Sequence, residues 1–255
     1  MIHPTAIISP EAKLDPSVVV GPYVVIEGAV EIAAGTRIDS HTILKGPCRI
    51  GRDNQVFSHV IIGEIPQDLK FRGESSSVEI GDRNQIREFS TIHRGTQGGG
   101  GVTRIGSDNL IMAYAHIAHD CDIGQHVILA NAASLAGHVS VGDYAILGGF
   151  AVAHQFCRIG AHAFIGGFSK ISKDVPPFVM ADGARARSIG LNKEGLKRRN
   201  FSSETVNLLS RAFRQLVKKQ GDDKTWAEFD EAAKHDVALA QMLAFIRMSE
   251  RGITR

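Results

Sequence analysis

From residue 105 the chain reads IGSDNL IMAYAH IAHDCD IGQHVI LANAAS LAGHVS VGDYAI LGGFAV, ending at residue 152. Each six-residue word opens on an aliphatic: Ile105, Ile111, Ile117, Ile123, Leu129, Leu135, Val141 and Leu147. The period continues through Ala153, Ile159, Ile165 and Ile171. Toward the N-terminus it recurs at Ile92, Ile86 and Ile80, and in an unbroken series from Ile62 back to Ile2. Of these 26 positions, 25 are Ile, Leu or Val, and only Ala153 departs. Chance does not supply that regularity.

A period of six matches neither the 3.6 of an amphipathic helix nor a heptad. It fits a solenoid of hexapeptide strands with the aliphatic inside. Small or β-branched residues four places later, such as Ala6, Val24, Thr42, Ala133 and Ala145, are assigned to the tight corners. Three hexads make one triangular coil, so residues 18 apart stack at about 4.8 Å, one strand spacing. The expected fold is mainly β, a parallel β-helix over residues 1–190, followed by a helical domain over 191–255. In that tail Ser202 or Ser203 is placed to cap a helix carrying Val206, Leu209, Phe213, Leu216 and Val217. Thr225 and Glu228 read as a capping box, and Asp236 opens a last helix.

Two segments break the period, giving loops near 64–77 and 95–103. The first holds Pro66, Gln67, Asp68, Lys70 and three consecutive serines; the second holds four consecutive glycines, Gly98 to Gly101, and is read as replacing one hexad. Insertions in a solenoid gather on one face, often the binding face.

At 255 residues and 43% hydrophobic, the chain can bury a full core, which excludes disorder. Its 29 basic and 27 acidic side chains nearly cancel, and aromatics are only 6%, which argues against nucleic acid as a partner. The longest charge-free stretch, Ile123 to Gly142, is interrupted by Gln125, His126, Asn131 and His138, so no membrane span is expected. The start Met1-Ile2-His3-Pro4 lacks the cationic opening of a signal peptide, and the hexads begin at Ile2. Three scattered cysteines suit a reducing cytoplasm; Cys121 and Cys157 lie two coils apart, too far for a disulfide. The expected location is the cytoplasm.

Histidine is abundant, at 11 copies, and His116, His119, His138 and His154 cluster in sequence. Steps of 18 put His119, Gly137 and Gln155 in one column and set Asp120 under His138. The glycine loop should leave the coil directly below His119. An imidazole is the natural general base at neutral pH, and a neighbouring carboxylate such as Asp120 orients it. Gly137 offers a backbone N–H unobstructed by a side chain, as an oxyanion donor needs. The same residues leave a second chemistry open: His116, His119 and His138, or a neighbouring copy's His, holding a zinc ion with a free fourth position, as in γ-class carbonic anhydrases, which makes a hydratase. Between Lys170 and Asn200, eight Lys and Arg stand against three acids, which suits a phosphate or an acidic partner.

The strings Ile92-His93-Arg94-Gly95, Ala115 to Cys121, Leu135-Ala136-Gly137-His138-Val139, His154-Gln155-Phe156, Gln67 to Lys70 and Asn192 to Arg199 resemble the acyl-[acyl-carrier-protein]–UDP-N-acetylglucosamine O-acyltransferases. The resemblance covers nearly the whole chain and implies a cytoplasmic homotrimer of left-handed β-helices, without a cofactor, acting first in lipid A biosynthesis. The left hand is implied by the resemblance alone, since ordinary crossovers have the opposite hand. The family's reaction moves a (R)-3-hydroxyacyl chain from acyl carrier protein to the sugar 3-hydroxyl of UDP-N-acetylglucosamine. By resemblance His119 is the base, Asp120 its support and Gly137 the oxyanion donor. Asp68, Lys70, His93, His116, His138, His154 and Gln155 match substrate-contacting positions. Asn192, Glu194, Arg198 and Arg199 match residues serving uridine and phosphates from a neighbouring subunit. Gly167 matches an acyl-length ruler; Gly149 stacks beneath it, and the bulk of Phe164 and Phe168 is expected to shorten the groove.

Overall fold

A computed structural model describes residues 1–255. Three sheets of nine, eight and ten strands, parallel except for the last strand of the third, form the faces of a triangular prism. Each coil visits the nine-stranded face first (Ile7–Ile8), then the eight-stranded (Lys13–Leu14), then the ten-stranded (Val19–Val20). Ile7 pairs with Val25 and His116 with Ser134, the separation of 18 that the hexads require. Across the first insertion it grows to 30, Ile61 on Thr91, and across the second to 25, Thr91 on His116. The glycine loop is thus added to a coil and replaces no hexad: seven residues leave the corner between Thr91–His93 and Val102–Ile105 and return to it.

The hexad aliphatics fill the prism, most of them fully buried from Val20 to Ile171. The residues four places later also face inward, but the backbone turns one place earlier. There a non-glycine residue adopts positive φ in almost every hexad from residue 105 onward, including Asp108, Tyr114, Asp120, His126, Ala132 and His138. The left-handed region is unfavourable for residues with a Cβ, and the fold offsets that cost by stacking. Tyr23, His41, His59, Phe89 and Tyr114 form a column of parallel rings about 5 Å apart. His126, Tyr144, His162 and Phe178 form a second. Much of the histidine excess is therefore corner packing.

Register stacking also governs polar residues. Lys13, Glu31, Arg49, Glu79, Arg104 and Asp122 alternate in sign up the eight-stranded face, paired strand to strand. Like charges at one strand spacing would repel; alternation removes the conflict. Inside the prism Asn54, Asn84 and Asn109 form a ladder in which each side-chain oxygen accepts the next residue's amide at 2.9 Å. These buried polar groups are satisfied.

The last strands, Val179–Asp182 and Arg187–Leu191, form an antiparallel hairpin that continues the ten-stranded face. Four helices follow: α1 (Lys193–Arg198), α2 (Ser203–Ala212), α3 (Asp223–Ala233) and α4 (Val237–Arg247), with a π-helical turn, Phe213–Lys218, extending α2. Ser202 and Asp236 cap α2 and α4 through the amides of Thr205 and Leu239. The capping box read at Thr225 is wrong: Asp222 caps α3, accepting from both the amide and the hydroxyl of Thr225. The helix starts three residues earlier, at an aspartate that accepts from the Thr225 amide, so Thr225 lies inside the first turn. No helix is long and apolar enough to cross a membrane.

Candidate active site

The corner between the nine- and eight-stranded faces, where both insertions leave the solenoid, holds the predicted cluster. Asp120 Oδ2 lies 2.8 Å from His119 Nδ1, and the two side chains are 0% and 7% exposed. With the carboxylate as acceptor, Nδ1 carries the proton and Nε2 is left as the basic nitrogen. Thr96 completes the carboxylate's shell: its amide donates to Oδ1 at 2.8 Å and its hydroxyl to Oδ2 at 2.6 Å. The Asp120 amide donates in turn to Thr103 Oγ1. The ring of His119 occupies the space that a Cβ on Gly137 would need. That explains a glycine in the column. The amides on either side of Gly137 donate to Ala153 O and His119 O, while its own N–H meets no acceptor in the chain.

Neighbouring imidazoles are held individually. His138 Nε2 is 3.8 Å from Asp120 Oδ2, with its ring perpendicular to His119 and stacked on Phe156. Burial lowers its pKa, partly countered by Asp120. His116 pairs with Thr91 Oγ1 at 2.7 Å and meets His93 edge-on, and burial lowers its pKa too. His93 is buried, its Nδ1 has no partner, and burial together with His116 pushes its pKa down to about 4. It stands beside Glu64 in the sheet register, and Glu64 is paired with Lys45 at 2.7 Å.

A cleft of about 650 Å³ opens over this corner and the outer surface of the nine-stranded face. Its roof is the first insertion, with Gln67, Asp68, Leu69 and Lys70; its floor includes His116, His119, Gly137 and Gln155. His154 lies at its edge, exposed, with Nδ1 3.3 Å from Arg251 Nη2. The sequence reading missed Thr96, Thr91 and Arg251. Only Thr96, beside the glycine run, carried a signal; Arg251 lies 97 residues from its partner.

Comparison with known proteins covers the whole chain. The bacterial transferase hexapeptide family (six repeats) matches residues 103–137, and the family described as Udp N-acetylglucosamine O-acyltransferase, domain 2, matches residues 174–254. The acyl-[acyl-carrier-protein]–UDP-N-acetylglucosamine O-acyltransferase of Thermodesulfovibrio yellowstonii is 49% identical over 259 residues, covering 100% of this chain and 99% of its own. That of Saccharophagus degradans is 50% identical over 256 residues, with the same coverage. This chain belongs to the acyl-[acyl-carrier-protein]–UDP-N-acetylglucosamine O-acyltransferases. Among solved structures, the UDP-N-acetylglucosamine O-acyltransferase of Moraxella catarrhalis is similar at a TM-score of 0.96 and 43% identity, covering 100% of this chain and 99% of that one. The acyltransferase of Francisella novicida gives a TM-score of 0.96 at 41% identity, covering 100% and 94%. The fold is the left-handed parallel β-helix with C-terminal helices expected of this O-acyltransferase family.

In this acyltransferase the alternative zinc reading is not supported. His119, Asp120 and His138 have atoms within 4.8 Å of one another, but His116 is not among them. Both oxygens of Asp120 are already claimed by Thr96 and His119. The full-length relatives are acyltransferases.

Within the acyltransferase chain several residues grouped by sequence lie apart. Asn192, the N-cap of α1, donates from Nδ2 to His162 O, and Arg199 lies over the Tyr144 ring at 4.1 Å. Both stand at the corner between the eight- and ten-stranded faces, with Glu194 and Arg198 exposed beside them. Gly167 and Phe168 occupy the third corner, and Phe164 lies on the ten-stranded face. A Cβ on Gly167 would stand 3.1 Å from Gly149 O, so this column is backbone-close. None of these residues lines the cleft above His119. Cys121 is buried and free, and burial pushes its thiol up to about 12, which leaves it a packing residue.

Proposed function

We propose that this acyltransferase moves a (R)-3-hydroxyacyl chain from acyl carrier protein to the 3-hydroxyl of UDP-N-acetylglucosamine. The observation that carries the proposal is the Asp120-oriented His119 lying over the side-chain-free Gly137 in a roofed cleft. His119 Nε2 takes the proton of the sugar 3-hydroxyl, whose oxygen attacks the thioester carbon. The Gly137 N–H donates to the oxyanion of the tetrahedral intermediate. Its collapse breaks the C–S bond, and the carrier thiolate takes the proton back from the imidazolium. Asp68, Lys70, His93, His116, His138, His154 and Gln155 serve as contacts to the sugar nucleotide and acyl group, with Gly167 and Phe164 bounding the acyl chain.

The site is built between copies of the chain in a homotrimer. The support is positional: Asn192, Glu194, Arg198 and Arg199 stand at one corner and His119 at another, so both sets reach one substrate only across a subunit boundary. Residues 1–190 act as the catalytic solenoid and 191–255 as a helical domain that meets the acidic carrier. Three buried free cysteines support a cytoplasmic location.

The test is release of carrier thiol from (R)-3-hydroxyacyl carrier proteins of several lengths with UDP-N-acetylglucosamine, in the presence of a chelator. Turnover is expected, and His119→Ala is expected to lose about 10²–10⁴-fold in kcat. Wild-type-like turnover in that variant removes His119 as base.

A further inference from the structure

The two insertions are one assembly, and its centre is a carboxylate. In the second loop Thr96 O accepts from the amides of Gly99 and Gly101, at 3.0 and 2.8 Å, closing a tight turn. Gly101 O accepts from Ser77 N, which ties that turn to the end of the first loop. Glu74, also in the first loop, accepts from Gln97 N at 3.4 Å. Ideal Cβ atoms on Gly95 and Gly99 would run into the Asp120 carboxylate. The glycines are there because the strap wraps closely around that side chain.

We propose that Thr96 is a positioning residue for acyl transfer, fixing the Asp120 carboxylate so that Oδ2 is presented to His119 Nδ1. The inference rests on the reading of His119 as the base. A carboxylate's terminal torsion is broad and soft, so one hydrogen bond does not set its plane. Thr96 donates from its amide to one oxygen and from its hydroxyl to the other, which does set it. Oδ2 is left shared between the hydroxyl and the imidazole, aimed along the axis that orients the ring. The first loop, carrying Asp68 and Lys70, is joined to the same strap, so the cleft's roof and its base share one support.

Thr96→Val keeps the shape and the amide but removes the hydroxyl donor. Its kcat is expected to fall about tenfold, the loss of one hydrogen bond to a charged group, with KM for UDP-N-acetylglucosamine within about twofold of wild type. Thr96→Ser should restore kcat to within about twofold, and Thr96→Ala, without valine's second methyl, should match the valine variant. In an Asp120→Ala background Thr96→Val should cost nothing further, since the group it acts through is gone. The proposal is overturned by wild-type kcat in Thr96→Val, by a serine variant as slow as valine, or by a full additive loss without Asp120. His119→Ala separates the two claims. If it is inactive while Thr96→Val is unimpaired, only the role of Thr96 falls; if it turns over normally, both fall.

Discussion

Two corners of the prism carry the same backbone turn and nearly the same side chains, yet only one holds a cleft and the proposed base. At the corner between the eight- and ten-stranded faces, His126, Tyr144, His162 and Phe178 sit at φ of 56°, 60°, 57° and 67°. Their rings stack without a break, Arg199 covers Tyr144, and Phe201 closes edge-on against His162. At the corner between the nine- and eight-stranded faces, Asp120, His138 and Phe156 take the same turn at 59°, 62° and 64°. There Asp120 replaces a ring, so the column is broken, and Gly137 opens a hole into which His119 settles. A histidine in this fold is a stacking element by default. It leaves the stack to pair with a buried carboxylate where that carboxylate interrupts the column and a glycine makes room.

The largest expected effect tests the hole itself. Gly137→Ala puts a methyl where the His119 imidazole lies, so the ring must leave its place on Asp120. Loss of an oriented base predicts a fall in kcat of about 10²-fold or more, with folding intact. Gly149→Ala is the control: its Cβ would meet Asn131 O at 3.4 Å, an ordinary contact. Comparable activity in the two alanine variants would mean that the glycine column matters only as a surface.

Exchanging the ring at the two corners is the next test. His138→Phe keeps the stack on Phe156 and removes the nitrogen 3.8 Å from Asp120. A loss of about 10–100-fold in kcat/KM is expected, since His138 is one of the proposed substrate contacts and removing a hydrogen bond to a charged or reacting group costs about that much. His126→Phe, stacked on Tyr144 at 4.5 Å, should leave kcat/KM and Tm close to wild type. Equal losses in steady-state assays of the two variants would erase the distinction between the corners.

What the sequence made legible follows from the solenoid's fixed pitch. When 18 residues make one coil, addition alone finds neighbours, and it placed His119 over Gly137 and Asp120 beside His138 correctly. Addition fails wherever the pitch is interrupted. Asn54, Asn84 and Asn109 are separated by 30 and 25, not 18, because both insertions intervene, so the ladder is hidden. Thr96 lies within an insertion, where no periodicity says which way a hydroxyl faces. The turn at the corners was placed one residue late because small residues drew attention to the inward position, while stacked rings hold the turning one. Arg251 reaches His154 through the helical tail, whose packing no repeat encodes.

The smallest effect is a pH dependence of stability to which both corners contribute, the closed one through His162 and the open one through His93. Burial, reinforced by the charge of Arg199, pushes His162 down to about 4, and burial with His116 does the same to His93. Both are neutral in the folded protein at a pH where the unfolded chain binds a proton. Their contribution is full above pH of about 6.5, the unfolded value, and is lost as pH falls from there toward 4. His162→Phe removes one of the two while preserving the stack on Tyr144 and Phe178. Thermal melts at pH 7 and pH 5 should show Tm falling with acid in both proteins, with a drop shallower by about 2–4 °C in the variant. Equal drops would mean that His162 is protonated in the folded state after all. Arg199 would then be facing a like charge rather than a neutral ring.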